Sequence, residues 1–150
     1  MIRTLAALLF VLVLTACTSQ SGPELPPAEV FVNAGQQFAL RVGETAGVVT
    51  SQAIALVRFN GAVQDSRCPA GVQCVTAGFA TVLLSVQTAL NVHDVTLDVP
   101  PDGTVEVVVD ELTVKALGLR PNAQQGVTID PLGYVVGLMV TESSTTPIPN

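Results

Sequence analysis

Along most of the chain, apolar and polar residues alternate with a period of two. Phe38, Leu40 and Val42 are interleaved with Gln37, Ala39 and Arg41. Val82, Leu84 and Val86 form a second stripe, and Val95, Leu97 and Val99 a third, set against Asp94, Thr96 and Asp98. Val105, Val107 and Val109 follow, then Leu112, Val114 and Ala116; Tyr134, Val136, Leu138 and Val140 come last. Side chains of a strand point alternately to its two faces, so each stripe predicts a strand with one face in a core. Ile54 to Phe59 is almost continuously apolar and reads as a strand buried on both faces.

Turn chemistry separates these runs. Gly43 precedes the Val48-Val49 run, Pro100-Pro101-Asp102-Gly103 combines a preset φ with a residue that accepts positive φ, and Asp110-Glu111 breaks the run after Val109. Arg120-Pro121-Asn122 opens a longer loop. About eight short strands at this spacing predict an all-β fold, an antiparallel sandwich or a small barrel. Residues 112–119 contain Leu, Lys and Ala, which also form helices, but no window beyond the leader carries a helical stripe.

The first residues break the pattern. Arg3 precedes an apolar run from Leu5 to Leu14, which is too short to span a bilayer and has the shape of an export signal helix. It ends in Leu14-Thr15-Ala16-Cys17, which resembles the bacterial lipobox. That resemblance implies cleavage after residue 16 and a diacylglyceryl group on the Cys17 thiol. Two or three acyl chains hold a protein stably at a membrane, where one does not. Residues 17–35 are polar and Pro-rich and read as a lipidated N-terminus on a flexible tether. The folded domain is then 36–142, followed by a Ser/Thr/Pro-rich flexible tail, 143–150.

Composition narrows the partners. The chain has 150 residues and a formal charge of −6, with no Trp and one Tyr. Without the leader, five basic side chains face twelve acidic ones, a charge near −7. No basic run is present, so nucleic acid is not an expected partner. An acidic surface also does not dock on anionic lipid, so attachment falls to the Cys17 anchor.

With Cys17 acylated, Cys68 and Cys74 remain as an even pair in an oxidising compartment, expected as a disulfide closing a seven-residue loop. Pro69 and Gly71 supply its turn. A redox pair is more often Cys-x-x-Cys at a helix N-terminus. A metal site needs more ligands than one histidine, His93, can add, and no cofactor is expected. Asp65, Ser66 and Arg67 precede the loop as turn-capping residues or as part of a binding loop. A Ser66 nucleophile would need a base such as His93, to which no local motif connects it. His93 itself is in phase with Val95 at a strand start, and Asp94 and Asp98 read as a solvated face.

Phe38-Ala39-Leu40, Gly43-Glu44, Leu56-Val57-Arg58-Phe59, Asp65 to Pro69 and Cys74 to Gly78 together make a pattern over residues 38–83. A weaker end is Leu132-Gly133-Tyr134. The pattern resembles a group of small bacterial envelope lipoproteins with a D-S-R-C-P-x4-C-x3-G motif. In that group the position of Thr76 is commonly Trp, so no role of that aromatic carries over. The resemblance implies class and location and brings no activity with it.

These readings converge on a non-catalytic, lipid-anchored binding or accessory module of the cell envelope. Its domain would face the periplasm or exterior, at the outer membrane in a two-membrane cell, with another envelope protein as partner. The alternative is an immunoglobulin-like inhibitor of an extracytoplasmic hydrolase, marked by apolar or Gly-rich loops clustered beside residues 68–74.

Overall fold

The computed structural model describes residues 25–143, so the leader, Cys17 and residues 144–150 lie outside the described part. Nine strands follow in order: β1 (Val30–Asn33), β2 (Gln37–Arg41), β3 (Thr45–Val49), β4 (Ile54–Asp65), β5 (Ala80–Gln87), β6 (Val92–Val99), β7 (Val105–Val109), β8 (Leu112–Arg120) and β9 (Val135–Glu142). Pro131–Gly133 forms one 3-10 turn, capped by the Asp130 carboxylate, which accepts from Leu132 N. The strands make two open sheets, β1-β3-β4-β5-β6 and β2-β9-β8-β7. The fold is thus an all-β sandwich and not a closed barrel.

Between the sheets the stripes read from sequence meet. Val57, Phe59, Val82, Leu84, Val86 and Val99 are buried from the first sheet, and Leu40, Val114, Val136, Leu138 and Val140 from the second. The first sheet is an antiparallel meander from β3 to β6, with β1 added in parallel to β3. Pro100 to Thr104 does not close a hairpin. It carries the chain from β6 across to β7 in the other sheet.

Two expectations are corrected. Ile54 to Phe59 is not buried on both faces: Ala55, Val57 and Phe59 are inside, while Ile54 is exposed and Leu56 and Arg58 are half-buried. The run looked continuous because Leu56 and Ile54 sit on the outward side of a sheet that is itself partly covered. The second correction is at the edge of that sheet. Residues 17–35 contain β1, which pairs with β3 through Val30–Ala46 to Asn33–Val49. Just before it, Leu25 N donates to Gln87 Oε1 at 2.9 Å. Four residues are too few to show a period in sequence, and their pairing partner lies beyond β2. At the other end Ser143, assigned to the tail, is tied to the domain by a 2.7 Å bond from its N–H to Glu111 O.

Register explains where the central stretch ends up. In β4 the inward positions are Ala55, Val57 and Phe59. A bulge between Phe59 and Gly61, and another between Ala62 and Gln64, each add one residue. Each bulge shifts the phase of the residues after it. The first brings Ala62 opposite the inward Val82, and the second leaves Val63 exposed and returns Asp65 to an inward place opposite Ala80. The strand therefore ends by delivering a carboxylate to the margin of the inter-sheet space.

Candidate functional site

Three connections meet at the end of the sandwich where β4 stops: residues 66–79, 100–104 and 121–134. At their centre is Arg67, whose side chain is 4 % exposed beside an Asp65 side chain 14 % exposed. Arg67 Nε donates to Asp65 Oδ1 at 2.9 Å and Nη2 to Asp65 Oδ2 at 2.7 Å, a two-pronged contact. Nη1 also donates to Leu119 O at 2.7 Å, and Nη2 to Pro121 O at 2.8 Å. Both carbonyls belong to the second sheet and the loop after it. Tyr134 Oη, at the other end of that loop, donates to Asp65 Oδ2 at 3.0 Å. One guanidinium thus ties β4 of one sheet to β8 of the other and to the 121–134 loop.

Burial pushes the Asp65 carboxyl up. The Arg67 side chain and backbone N–H, the Arg67 charge and the Tyr134 hydroxyl outweigh it and hold the carboxyl below its ordinary value of 3.8. Burial, then the Asp65 hydrogen bond and charge, push Tyr134 above its ordinary 10.0. A largely buried pair engaged on both sides in this way is a brace. Its donors and acceptors are already committed to the protein itself.

Cys68 and Cys74 are disulfide-bonded, with Cα atoms 6.0 Å apart. The loop folds back on itself through Ser66 N to Phe79 O at 2.8 Å and Cys68 N to Ala77 O at 2.8 Å. Gly78 sits at φ +68°, and a Cβ there would run into Ser66 O. The last glycine of the motif is fixed by this close approach. Across the end, Ala70 N donates to Ala123 O at 3.1 Å, joining the disulfide loop to the 121–134 loop. A small hollow of about 160 Å³ lies between them, lined by Arg67, Cys68, Ala70, Pro101, Asp102 and Asn122 among others.

Of the residues expected as a binding loop, the Asp65 and Arg67 side chains are turned inward, while Ser66 stays exposed. Asp65 and Arg67 are consumed in the brace, and the Ser66 hydroxyl donates to Phe79 O at 3.0 Å. Val75, Phe79, Val127 and Leu132 are exposed at this end, among exposed polar residues that include Gln73, Thr76, Gln124, Gln125 and Thr128.

His93 does not join Ser66. It pairs with Val86 on β5, six residues from the Ala80 that faces Asp65, so about 20 Å of strand separates them. His93 Nε2 lies 2.9 Å from Asp110 Oδ2, at the opposite end of the sandwich. Asp94 accepts from Ser85 and Asp98 from Thr81, on the outer sheet face. Among the described residues no three His, Cys, Asp or Glu side chains converge as a metal site would require.

That opposite end holds a cleft sequence reading missed. It measures about 490 Å³, with Ile54, Ala55, Leu90 and Leu112 as apolar lining and Asp110, Glu111 and Glu142 as acidic groups. Thr88 and His93 hold Asp110 below its ordinary value, and Ser51 does the same for Glu142. The sequence signal was weak: three hairpin turns far apart in the chain that meet only in the fold. Tyr134 was missed as a site residue because its stripe marked it as core, and its hydroxyl partner lies far away in the chain on the other sheet.

The chain matches no protein-family model, no curated protein and no solved structure.

Proposed function

We propose that the chain is a lipid-anchored, non-catalytic module of a bacterial envelope, held through Cys17, whose braced loop end binds another envelope protein. The observation that carries this reading is the loop end itself. The Arg67 guanidinium and the Asp65 carboxylate are turned inward as a brace. Val63, Val75, Phe79, Val127 and Leu132 are exposed there, five of the eleven large exposed apolar side chains among the described residues, beside exposed uncharged polar residues such as Gln73, Gln124 and Thr128. Apolar surface held rigid on a small domain marks an interaction site. The chain enters the domain at Leu25, seated on Gln87 at the far end of β5, which leaves the loop end pointing away from the tether. The D-S-R-C-P resemblance supports the same class and location.

Site-specific photocrosslinking in intact envelopes tests this. A crosslinker at Val75 or Leu132 gives one shared adduct, and a crosslinker at Glu106, on the outside of the second sheet, does not give it. Equal adducts from all three sites, or none, would refute the reading.

A second reading, inhibition of an extracytoplasmic hydrolase, is favoured by the clustering of the 66–79 and 121–134 loops with Gly71, Gly78, Gly126 and Gly133. The strand order, a β3-β4-β5-β6 meander in one sheet and β2-β9-β8-β7 in the other, is not the ABED and CFG order of an immunoglobulin domain. The reading holds if the adduct contains a hydrolase that the purified domain inhibits.

A further inference from the structure

The outer face of the five-stranded sheet is divided by charge. Register places Phe31, Gly47, Leu56, Gln87 and Val92 in one outward row, and Val49 and Ile54 in the row beyond it. None of these residues is charged, in a chain with twelve acidic side chains. Charge returns with the next row toward the loop end, where Arg58 and Asp94 flank Ser85. The uncharged half is also largely apolar, and its margins are open: Phe31 is 60 % exposed, Ile54 52 % and Leu90, in the adjoining turn, 74 %, while Gly47, Leu56, Gln87 and Val92 between them are buried or half-buried.

The chain coming from Cys17 arrives on this half-face. Leu25 N is bonded to Gln87 on β5, and the Ala28 methyl lies over Gly47 on β3. Residues 25–28 therefore cross β4 above Leu56. Only eight residue steps separate Cys17 from Leu25, a reach of about 28 Å at most. A domain of this size is on the order of 35 Å across. So short a connection cannot pass around the domain, and the face it enters is the one kept near the anchor.

We infer that the uncharged half-face, with Leu90 at its margin, lies against the lipid surface holding the Cys17 anchor and seats Phe31, Ile54 and Leu90 among the lipid headgroups. The inference rests on the lipid-anchored reading above. The rows of the sheet face carry no charge and can approach lipid without stripping water from ions. The acidic groups of the adjoining cleft, Asp110, Glu111 and Glu142, bound that face beyond Ile54 and Leu90, and the short tether raises the local concentration of the face at the bilayer. The acidic remainder of the surface is repelled by anionic lipid, so zwitterionic bilayers are favoured.

The chain contains no Trp, so a single introduced Trp reports its own surroundings. The lipidated full-length mature protein is reconstituted in phosphatidylcholine vesicles with and without brominated acyl chains, carrying Leu90→Trp, Ile54→Trp or, at the loop end, Val127→Trp. Flotation with the vesicles is read first, with Cys17→Ser as the unlipidated control. The expected result is flotation of all three lipidated variants, with quenching at positions 90 and 54 several-fold greater than at 127. Flotation with equal or absent quenching overturns the inference and leaves the anchor standing. Failure to float overturns both. Shielding of position 54 that grows with protein concentration, without bromine quenching, assigns the face to a second copy and overturns the inference.

Discussion

Tyr134 Oη and Asp65 Oδ2 are joined by a 3.0 Å hydrogen bond that links the end of the 121–134 loop, just before β9, to the end of β4 in the other sheet. The phenol ring is buried and its hydroxyl supplies one of the donors that keep the carboxylate ionised. Tyr134→Phe removes that donor and leaves Arg67 in place. The expected cost is about 1.5 kcal/mol, in the range for a hydrogen bond to a charged group. Chemical denaturation with an unchanged m-value checks it.

The same contact makes stability depend on pH in two windows. Asp65 has its folded pKa below its ordinary 3.8. Its contribution is complete above the unfolded value and is lost as pH falls through the folded one. Tyr134 is shifted the other way, above 10.0. Its contribution is complete below the unfolded value and is lost as pH rises through the folded one. Asp65→Asn should flatten the acid limb of the urea midpoint against pH, but not level it, since Asp110 and Glu142 are also lowered. With one tyrosine in the chain, ultraviolet titration reads the alkaline shift directly. In Asp65→Asn that titration should move back toward the ordinary value.

Gly78 and Gly71 separate two reasons for glycine. Both have positive φ, but a Cβ at Gly71 meets nothing within 4 Å, whereas one at Gly78 meets the Ser66 backbone. Gly71→Ala should cost about 1–2 kcal/mol, the strain of the left-handed conformation alone. Gly78→Ala adds the overlap and should cost about 3 kcal/mol or more. Equal losses in thermal unfolding would contradict the close approach of residues 66 and 78.

Thr45 Oγ1 is buried with no hydrogen-bond partner. Such a hydroxyl gives up its water for nothing in return. Thr45→Val keeps the shape, suits a strand and should raise stability by about 1 kcal/mol, measured as an increase in the denaturation midpoint.

Much of the core could be read from alternation. Val82, Leu84 and Val86, or Tyr134 to Val140, are buried where the period of two puts them. The disulfide followed from counting cysteines. What alternation could not give was anything that depends on an inserted residue or a distant pairing. The bulges around Gly61 and Val63 reverse the phase of β4 and then restore it, so Ala62 turns inward, Val63 stays out and Asp65 comes back opposite Ala80; a lone glycine inside a strand pattern was their only mark. The strand Val30–Asn33 exists because β3 offers it an edge, and nothing in its four residues says so. The Arg67 acceptors are backbone carbonyls of Leu119 and Pro121, which carry no side-chain signature.

The central claim is that the Asp65-to-Cys74 stretch braces the two sheets and leaves binding to the loops it holds. Denaturation of Arg67→Met, alone and combined with Asp65→Asn, tests it most directly. Losing the guanidinium strands a largely buried carboxylate and two carbonyls. Arg67→Met alone should therefore cost about 3–5 kcal/mol, and the double variant should lose clearly less than the sum of the two single losses. A stability within about 0.5 kcal/mol of the parent, the range of an ordinary surface substitution, would contradict the brace and return Arg67 to the status of a ligand-facing residue.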